Sequence, residues 1–576
     1  MLRASAQWAC ATVASIMQTP VPLGLCPFYF LRASRPCGIR QWLVLVFFGF
    51  WMTGCTSLPS EVERPVSTAL ANPMETRLGQ LVQARAARAG TRNDSGFALV
   101  GNAELAFTSR MTLIKAAQKT LDIQYYAIFA DDTTERMFDA LREAAGRGVR
   151  IRILLDDFNT SGKNAQVLKL AFEKNFELRL FNPLPGGRES MVLRIVSNLK
   201  DVARMQRRMH NKIFVADNAV AITGGRNLGE TYFGQSKGTN FVDIDVLAAG
   251  RIARDLSRSF DQYWNNPLAY PVQSLMSVKE IEAMKPKPAA ISPSLLSTSP
   301  QAAADASGAP PAQALAAGAD TPTALPDSAN LRLLTWTWAP SVLLVDQPSK
   351  IAADADDVAE AQETAVDGLL QLMSQAKTDL LIVSPYFVPG KVMMGQFAEL
   401  RRRGVRVRVL TNSLASNDAP AAHAGYARYR EALLAMGIEL YEMRAEQEGT
   451  VRSFGSGVGS TAGSKGSSRA SLHAKVVVMD GRLLVVGSMN LDLRSKLQNS
   501  EVAIVIRNRT LSRETTRMIE PALANGAYRV ELVDGQLMWR APQGSGLKDS
   551  TTEPDASLTL KLLLKLFGPL APDEML

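Results

Sequence analysis

The sequence predicts a duplicated α/β protein, because one motif occurs twice in similar surroundings. Residues 209–227 read MHNKIFVADNAVAITGGRN, and residues 472–490 read LHAKVVVMDGRLLVVGSMN. Both stretches contain His, one residue, Lys, four residues, Asp, six residues, Gly, then Gly or Ser, one residue and Asn. The chain has only three histidines. The presence of two of them in this frame therefore indicates a repeated unit and not chance.

A similar order of secondary structure precedes both copies of the motif. In the first half, LDIQYYAIFADD predicts a strand, TTERMFDALREAAGRG a helix that ends at Gly148, and VRIRILLDD the next strand. The second half repeats this order as DLLIVSPYFVPG, KVMMGQFAELRRRG and VRVRVLTNS. In both motifs the Lys and the Asp flank an apolar strand, and a turn that needs glycine then presents the Asn.

Composition and the repeat divide the chain into six segments. They are a leader (1–54), a stem (55–85), a first half (86–275, motif about 204–231), a linker rich in Ala, Pro and Ser (276–330), a second half (331–530, motif about 467–494) and an amphipathic C-terminal tail (531–576). The linker composition cannot bury a core. A further flexible stretch at 449–471 is interpreted either as a mobile lid or as a simple disordered insertion.

The leader has the order of a secretory signal. Arg40 precedes an apolar run from Trp42 to Met52, and the small residues Thr53 and Gly54 come directly before Cys55. This ending resembles a bacterial lipobox, in which the Cys is lipidated and becomes the mature N-terminus. An uncleaved apolar anchor is the alternative. The long stretch before Arg40 suggests that translation starts further downstream.

The cysteines and the charge limit the protein class. All four cysteines lie in the first 55 residues, so cleavage of the leader would leave no pair for a disulfide. The net charge is +9, and the first 54 residues hold four Arg and no acid, which leaves 60 basic and 55 acidic residues, or +5. This mild excess suits an anionic lipid surface and is too weak to indicate nucleic acid binding.

The repeated motif carries groups that suit a phosphodiester. Lys ammonium and Asn amide groups can stabilise phosphoryl oxygens where charge builds up. One His can attack phosphorus while the other, protonated, donates to the leaving alcohol, which gives a phosphohistidine intermediate. The candidates are His210, Lys212, Asp217 and Asn227 in the first copy and His473, Lys475, Asp480 and Asn490 in the second. His423 is the only other histidine, so we expect no metal and no cofactor.

Each catalytic His also needs an acid on its other ring nitrogen. Glu501 follows the second motif, and Asp243 occupies the equivalent strand of the first half. We therefore assign both as orienting acids, with Asp245 as an alternative to Asp243. Asp217 and Asp480 lie at the far end of the motif strands, which favours a structural bracing role for them.

The duplicated H-x-K-x4-D-x6-G-[GS]-x-N pattern resembles the phospholipase D superfamily. The stretches LDIQYY, SPYFVPG, TNSLASNDAPAAHAGYARYR and GSMNLDLRSKLQNSE look like those of bacterial cardiolipin synthases, most closely the C type. The resemblance covers about residues 86–530. It implies two similar phospholipase D-like α/β halves packed around a pseudo-twofold axis, with one shared active site. It also implies phosphatidyl transfer between phospholipids, with release of a small alcohol.

The resemblance implies roles for individual residues as well. His210 is the expected nucleophile, and His473 is the expected acid and base. Ser488 joins the two motif asparagines as a residue expected to bind substrate or to orient the catalytic groups. His423, in HAGYARYR, matches a family position near the substrate, and a histidine on a helix surface is the alternative.

Two segments have the pattern of helices that lie on a membrane surface. MVLRIVSNLKDVARMQRRM (191–209) places apolar residues at helical spacing among five basic ones: Arg194, Lys200, Arg204, Arg207 and Arg208. It is interpreted either as a helix on an anionic bilayer or as a core-packed helix with a solvated basic face. LTLKLLLKLFGPL (558–570) is similar, and it is more apolar than a free tail should be.

Together these features predict a cardiolipin synthase-type phosphatidyltransferase, lipid-anchored in the bacterial cell envelope and facing the periplasm. The expected partners are the membrane surface and its phospholipids, phosphatidylglycerol first and phosphatidylethanolamine second, and no nucleic acid. A phospholipase D hydrolase is the main alternative. A nuclease of the same superfamily and a non-catalytic envelope lipoprotein are less favoured. A monomer suffices, because the duplication already builds a paired site.

Overall fold

The computed structural model describes residues 57–283, 335–352, 364–446 and 469–567. The leader with Cys55, most of the 276–330 linker and most of the 449–471 stretch lie outside these ranges. Within them, none of the helices combines the length and the apolar character needed to span a bilayer.

Within the described ranges, the strands form two nine-stranded sheets and one two-stranded sheet. In chain order they are β1 Ser95–Val100, β2 Thr120–Tyr125, β3 Arg150–Asp156, β4 Phe176–Phe181, β5 Ile213–Ala216, β6 Val220–Gly224, β7 Thr239–Val242, β8 Asp245–Ala249, β9 Ala269–Pro271, β10 Thr337–Ala339, β11 Ser341–Val345, β12 Asp379–Val383, β13 Arg406–Asn412, β14 Glu439–Met443, β15 Arg469–Leu472, β16 Val476–Met479, β17 Leu483–Gly487, β18 Val502–Arg507, β19 Ala527–Val533 and β20 Gln536–Arg540.

The helices connect these strands. In chain order they are α1 Arg77–Arg88, α2 Ala103–Ala116, α3 Asp132–Gly146, α4 Met191–Ser197, α5 Val202–Gln206, α6 Arg251–Trp264, α7 Val278–Ala283, α8 Ser349–Ala352, α9 Ala365–Ser374, α10 Gly390–Arg402, α11 Pro420–Ala427, α12 Arg430–Ala435, α13 Leu493–Leu497, α14 Arg509–Asn525 and α15 Leu558–Phe567, with 3-10 turns at Pro73–Glu75, Gly162–Phe172 and Val272–Ser274.

The two large sheets share one topology. Their strand orders are β10-β1-β8-β6-β5-β2-β3-β4-β9 and β11-β18-β17-β16-β12-β13-β14-β19-β20. In both, three parallel strands (β2, β3 and β4; β12, β13 and β14) adjoin an antiparallel motif strand, β5 or β16. The sheets differ at their ends, because β10 extends one side of the first and β20 the opposite side of the second. The predicted duplicated α/β fold is confirmed.

Local sequence explains the helices that the repeat predicts. Parallel strands need a crossover connection, and α3 and α10 supply it in the two halves. The Asp131 side chain accepts from the Thr134 N–H and forms a capping box that starts α3. Gly148 and Gly404 follow the two helices with φ of 91° and 80°. This left-handed backbone favours glycine and turns the chain into the next strand.

One apolar core joins the two halves. Ile213 and Val215 of β5 belong to the same buried cluster as Val476 and Val478 of β16. These side chains occupy equivalent positions in the two copies of the motif, so both copies contribute to one shared core. Complete burial of each such side chain contributes roughly 1.5–3 kcal/mol. The halves therefore form one folding unit around the paired motifs.

The 191–209 segment differs from the predicted core-packed helix with a solvated basic face. It forms α4 and α5, yet Arg194 and Arg208 are buried. The Arg194 guanidinium pairs with the Asp157 carboxylate, which lies just after β3. The solvent-facing side instead carries apolar residues, including Val192 and Leu199. The expected solvated basic face is absent from this described helix pair, because the arginines are drawn inward by a long-range ion pair.

We predict that Gly487→Ala lowers stability by about 1–3 kcal/mol, the usual range for overpacking a core. A Cβ at Gly487 would lie 2.2 Å from the carbonyl oxygen of Val502 and 2.5 Å from the Cα of Ala503. Gly395→Ala is the matched control, because nothing lies within 4 Å of its added Cβ in α10. Urea denaturation should show an unchanged or slightly raised midpoint for the control. Equal midpoints for the two variants would contradict the packing argument.

Candidate active site

Two contacts between the halves place each motif histidine beside an acid of the other half. Strands β7 and β15 pair in parallel, with Val242 opposite Leu472. The next residues, Asp243 and His473, are therefore neighbours. On the other side of the site, Met209 forms a parallel bridge with Ser500. The residues that follow those two, His210 and Glu501, are neighbours in the same way.

His473 is held by a carboxylate and enclosed by aromatic rings. Its Nδ1 lies 2.8 Å from Oδ2 of Asp243. The Asp243 Oδ1 accepts from the backbone N–H of Ile244 at 2.8 Å, which fixes the carboxylate. The ring centroids of Phe241 and Tyr232 lie 5.0 Å and 5.3 Å from that of His473. The imidazole can therefore turn only its Nε2 edge towards a reacting group.

His210 has the equivalent environment on the other side. Its Nδ1 lies 3.0 Å from both carboxylate oxygens of Glu501. The Ser488 hydroxyl also donates to Glu501, and the Ser495 hydroxyl donates to it at 2.9 Å. Tyr126 meets the imidazole edge to face, with centroids 5.2 Å apart. Ser488 thus acts on the acid and so helps to orient the histidine.

The structure distinguishes Asp243 from its alternative, Asp245. The Asp245 carboxylate is buried in ion pairs with Arg110 at 3.0 Å and Arg226 at 3.3 Å. The two arginines therefore balance the Asp245 charge, and this carboxylate does not bind the imidazole. The sequence assignment placed each acid with the histidine of its own half. In the structure, each acid instead pairs with the histidine of the opposite half.

The turn residues of the two motifs explain how different acids fit equivalent positions. A Cβ at Gly225 would lie 2.5 Å from Oδ2 of Asp243, so this position needs glycine. Ser488 is the equivalent residue of the second motif, where its hydroxyl reaches the longer Glu501 side chain. The Gly-Gly and Gly-Ser variants of the motif therefore correspond to Asp and Glu as orienting acids.

Both motif lysines are buried beside their histidines. The Lys212 Nζ donates to the backbone oxygen of His210 at 2.7 Å, and the Lys475 Nζ donates to that of His473 at 2.5 Å. Burial lowers the pKa of Lys212 to about 7 and that of Lys475 to about 8. A bound anion would favour the charged form of both lysines.

Both imidazoles are neutral at pH 7. Burial, and then the nearby Lys475 charge, lower the pKa of His473 to about 4. Burial and the Lys212 charge lower the pKa of His210 well below its ordinary value. Only 9% of His210 and 5% of His473 is exposed, so bulk water screens these charges weakly.

The two orienting acids differ electrostatically. Burial raises the pKa of Glu501 to about 7. Burial alone would raise the pKa of Asp243 too, but the His473 hydrogen bond and the Arg226 and Lys475 charges outweigh it and lower that pKa. Asp243 is thus ionised at neutral pH and is the better partner for a protonated imidazole.

The motif asparagines are not equivalent. The Asn227 Nδ2 donates to the Tyr232 hydroxyl at 3.0 Å, and its Oδ1 accepts from the Ala127 N–H at 3.2 Å. The buried Asn490 Oδ1 has no hydrogen-bond partner among the residues that the structure describes. Asn227 therefore supports the wall of the site, and Asn490 retains capacity for a ligand.

Asp217 and Asp480 lie away from the two motif histidines. Asp217 accepts from the backbone N–H groups of residues 118–120, where β2 begins. Asp480 accepts in the same way from residues 377–379, before and at the start of β12. These strand ends are opposite to the strand ends that carry the histidines, so the geometry supports a bracing role for both aspartates.

His423 is buried in a separate polar network. Its Nε2 lies 3.1 Å from an Arg430 nitrogen and 3.4 Å from a Glu553 carboxylate oxygen. Arg430 in turn pairs with Glu442 at 3.0 Å. The side chain is only 1% exposed, which excludes the helix-surface interpretation. These contacts connect α11 with the C-terminal tail and do not reach the motif histidines.

Sequence reasoning missed the aromatic walls and two buried acids. Tyr126 directly follows β2, and Tyr232 lies five residues after the first motif. Neither position alone predicts a contact with the histidines, because that contact depends on the packing of the site. Burial raises the pKa of Asp156 to about 6 and that of Asp492 to about 7. Asp156 is the last residue of β3, and Asp492 follows the second motif by two residues. These positions were the sequence signal that could have identified the two acids. Among the described residues, no three His, Cys, Asp or Glu side chains are grouped as metal ligands.

Comparison with known families agrees with this geometry. The model "Cardiolipin synthase, PLD-like domain" matches residues 111–264 and again residues 369–522. Each match contains one histidine, one lysine and one orienting acid of the site described above.

Comparison with individual proteins gives the same result. Cardiolipin synthase C of Escherichia coli is 33% identical over 82% of this chain and 94% of its own length. Cardiolipin synthase B of Salmonella typhimurium is 22% identical over 77% of this chain and 84% of its own. Phosphatidylserine synthase of Haemophilus influenzae has a similar fold, with a TM-score of 0.51 at 14% identity over 86% of this chain and 99% of its own.

The duplicated fold, the two family matches and the similarity along most of the chain lead to one assignment. The protein belongs to the cardiolipin synthase family of the phospholipase D superfamily and is an enzyme of the phospholipase D type.

Proposed function

We propose that this protein is a cardiolipin synthase-type phosphatidyltransferase that acts on membrane glycerophospholipids through a phosphohistidine intermediate. The observation that supports it best is the pair of buried histidines, each held through Nδ1 by a carboxylate of the opposite half. This arrangement presents two Nε2 atoms, which is what a two-step exchange at phosphorus requires.

In the first step, Nε2 of His210 attacks the phosphorus of the donor lipid. A P–N bond forms, the P–O bond to the leaving alcohol breaks, and His473 transfers its Nε2 proton to the departing oxygen. In the second step, His473 takes the proton of the acceptor hydroxyl, whose oxygen attacks phosphorus as the P–N bond breaks. Ionised Asp243 supports this role for His473, because it stabilises the imidazolium form.

The lysines supply the charge that this reaction needs. Each step builds negative charge on the non-bridging phosphoryl oxygens, and Lys212 and Lys475 each lie beside the histidine of their own motif. The unpartnered Oδ1 of Asn490 is an acceptor, so it suits a hydroxyl group of a substrate and not the phosphoryl oxygens. The lysines, buried without a bound anion, gain their counter-charge when a phosphodiester enters.

The low exposure of the two imidazoles supports transfer over hydrolysis. A phosphohistidine at a site with limited water access persists until an alcohol arrives. Phosphatidylglycerol is the proposed donor and acceptor, with phosphatidylethanolamine as a further candidate. We also propose that Cys55 is lipidated and holds the enzyme in the bacterial envelope, facing the periplasm. A phospholipase D hydrolase, which would use the same residues with water as acceptor, remains the alternative.

A lipid assay tests the proposed function. The full chain, supplied with labelled phosphatidylglycerol with and without phosphatidylethanolamine, should form cardiolipin. His210→Ala and His473→Ala should reduce this product at least about 10³-fold, because each removes a group that makes or breaks a bond. Phosphatidic acid as the sole product would identify a hydrolase. Cleavage of DNA or RNA without any lipid product would favour a nuclease, and lipid binding without turnover would favour a non-catalytic protein.

Asp243→Asn should lower kcat about 10²-fold or more with a smaller effect on KM, because an amide cannot stabilise the His473 imidazolium. Asp534→Asn is the matched control. It makes the same change at an exposed turn whose φ of 50° asparagine tolerates. Circular dichroism should show that both variants are folded. Equal kcat values for Asp243→Asn and the control would contradict the orienting role.

Binding of an anion should take up protons near pH 6. The His473 pKa of about 4 keeps that imidazole neutral at pH 6, and an anion beside it raises the pKa and favours the protonated form. Sulfate is a suitable probe because it does not titrate at this pH. Calorimetry in two buffers of different ionisation enthalpy should show uptake in the wild type and less in His473→Ala. Identical heats in both buffers would exclude this linkage.

A further inference from the structure

The α4–α5 segment exposes an apolar face. Val192, Val196, Leu199 and Val202 are 69%, 46%, 58% and 41% exposed, and Ile195 adds a further 36%. Val192, Ile195 and Val196 share one side of α4 by their spacing of three or four residues, and Leu199 and Val202 follow in the turn and at the start of α5. Water-soluble surfaces rarely group so many large aliphatic side chains, and such a group marks an interaction site.

Buried polar contacts on the opposite side fix this orientation. Arg194 pairs with the Asp157 carboxylate and donates to the Asp157 backbone oxygen at 2.7 Å. Asn198, four residues later, donates to the Pro185 oxygen at 3.0 Å. Rotating the helix to bury its valines would leave the buried Arg194 and Asp157 charges without partners, which is strongly unfavourable. The apolar face is therefore held outward by the fold.

This apolar face lies near the strand ends that carry the active site. Asn182, just after β4, donates to the Arg207 oxygen at 2.8 Å and holds the end of the segment. His210 follows Arg207 by three residues. The first residue of β5, Ile213, pairs with Gln124 near the end of β2, so the histidine and the segment both lie at the carboxyl ends of the parallel strands.

The second half carries a counterpart at its C-terminal helix. Leu558, Leu562, Leu563 and Leu566 of α15 are 85%, 57%, 45% and 56% exposed. Helix α15 packs on α11, the first helix after β13, and β13 is the equivalent of β3. The tail before it is held by Glu553, which pairs with Arg430 at 2.9 Å.

We propose that the apolar faces of α4–α5 and α15 form one surface, the docking surface, that inserts into an anionic lipid bilayer on both sides of the active-site opening. The α4–α5 face lies at the carboxyl ends of the parallel strands of the first sheet, and α15 packs on α11, which follows the carboxyl end of β13 in the second. Both faces are therefore on the side of the sheets that carries the histidines. Lys200, Lys561 and Lys565 lie among the exposed leucines and valines, a charge pattern that matches anionic lipid. The inference rests on the proposed function for its role in catalysis, whereas insertion can be measured without turnover.

The insertion test uses the full chain with its four cysteines replaced by serine, which also removes the proposed lipid anchor. An environment-sensitive fluorophore is attached at Leu199→Cys, at Leu562→Cys or, as a control, at Val342→Cys. Val342 is 62% exposed on β11, at the border of the second sheet. With vesicles of phosphatidylglycerol and phosphatidylethanolamine, the first two labels should shift to shorter wavelength and become protected from iodide, and the control should not.

A second measurement connects the docking surface with activity. Val196→Asp/Leu199→Asp and Leu562→Asp/Leu566→Asp should each reduce turnover of vesicle lipid at least about 10-fold. Both should leave turnover of short-chain phosphatidylglycerol, dissolved below its critical micelle concentration, unchanged. The single variant Val342→Asp should leave both activities unchanged.

The outcomes separate this proposal from the proposed function. Labels at 199 and 562 that remain exposed to iodide with every vesicle would overturn it. A wild-type dimer in light scattering that dissociates in the aspartate variants would identify a second copy as the occupant and overturn it too. Label insertion with no lipid product from any substrate would support the docking surface and reject the phosphatidyltransferase.

Discussion

The arrangement of this protein depends on the pairing of each motif imidazole with a carboxylate of the other half. His473 binds Asp243 and His210 binds Glu501, so neither half contains a complete acid–histidine pair. The β7–β15 ladder and the Met209–Ser500 bridge set the register of both pairs. A shift of one residue in either contact would separate histidine from acid. The shared apolar core around β5 and β16 is what keeps the halves in that register.

Duplication has produced a paired site that is not symmetrical. Asp243 and Glu501 occupy equivalent positions, but Asp243 lies beside Arg226, whereas the second motif has Met489 there. Glu501 instead accepts two serine hydroxyls. The Arg226 and Lys475 charges act on Asp243, whereas Glu501 combines the Lys212 charge with the two serine hydroxyls. The two imidazoles therefore face acids in different environments, and under the proposed mechanism this asymmetry suits one histidine to act as nucleophile and the other as acid.

The sequence predicted the parts of the site that depend on local pattern. The repeated spacing identified both histidines and both lysines, and the equivalent strand positions identified Asp243 and Glu501. The sequence could not predict that each histidine pairs with the acid of the other half, because these contacts join residues more than 200 positions apart. The same limit applies to α4: its periodicity showed an apolar face and a basic face, but only the partner Asp157, 37 residues away, determines which one is buried.

A single pair of histidines must serve both half-reactions, and this constrains how two lipid substrates reach them. Under the proposed mechanism the acceptor occupies the position that the donor's leaving alcohol has vacated, so both headgroups enter through one opening. Lipids cannot approach from water without exposing their acyl chains, at about 0.8 kcal/mol per CH₂. An opening flanked by outward apolar helices from both halves removes that cost for donor and acceptor alike. The pseudo-twofold relation of the halves then has a use beyond building the site, since it offers the bilayer one apolar support on each side of the reacting phosphorus.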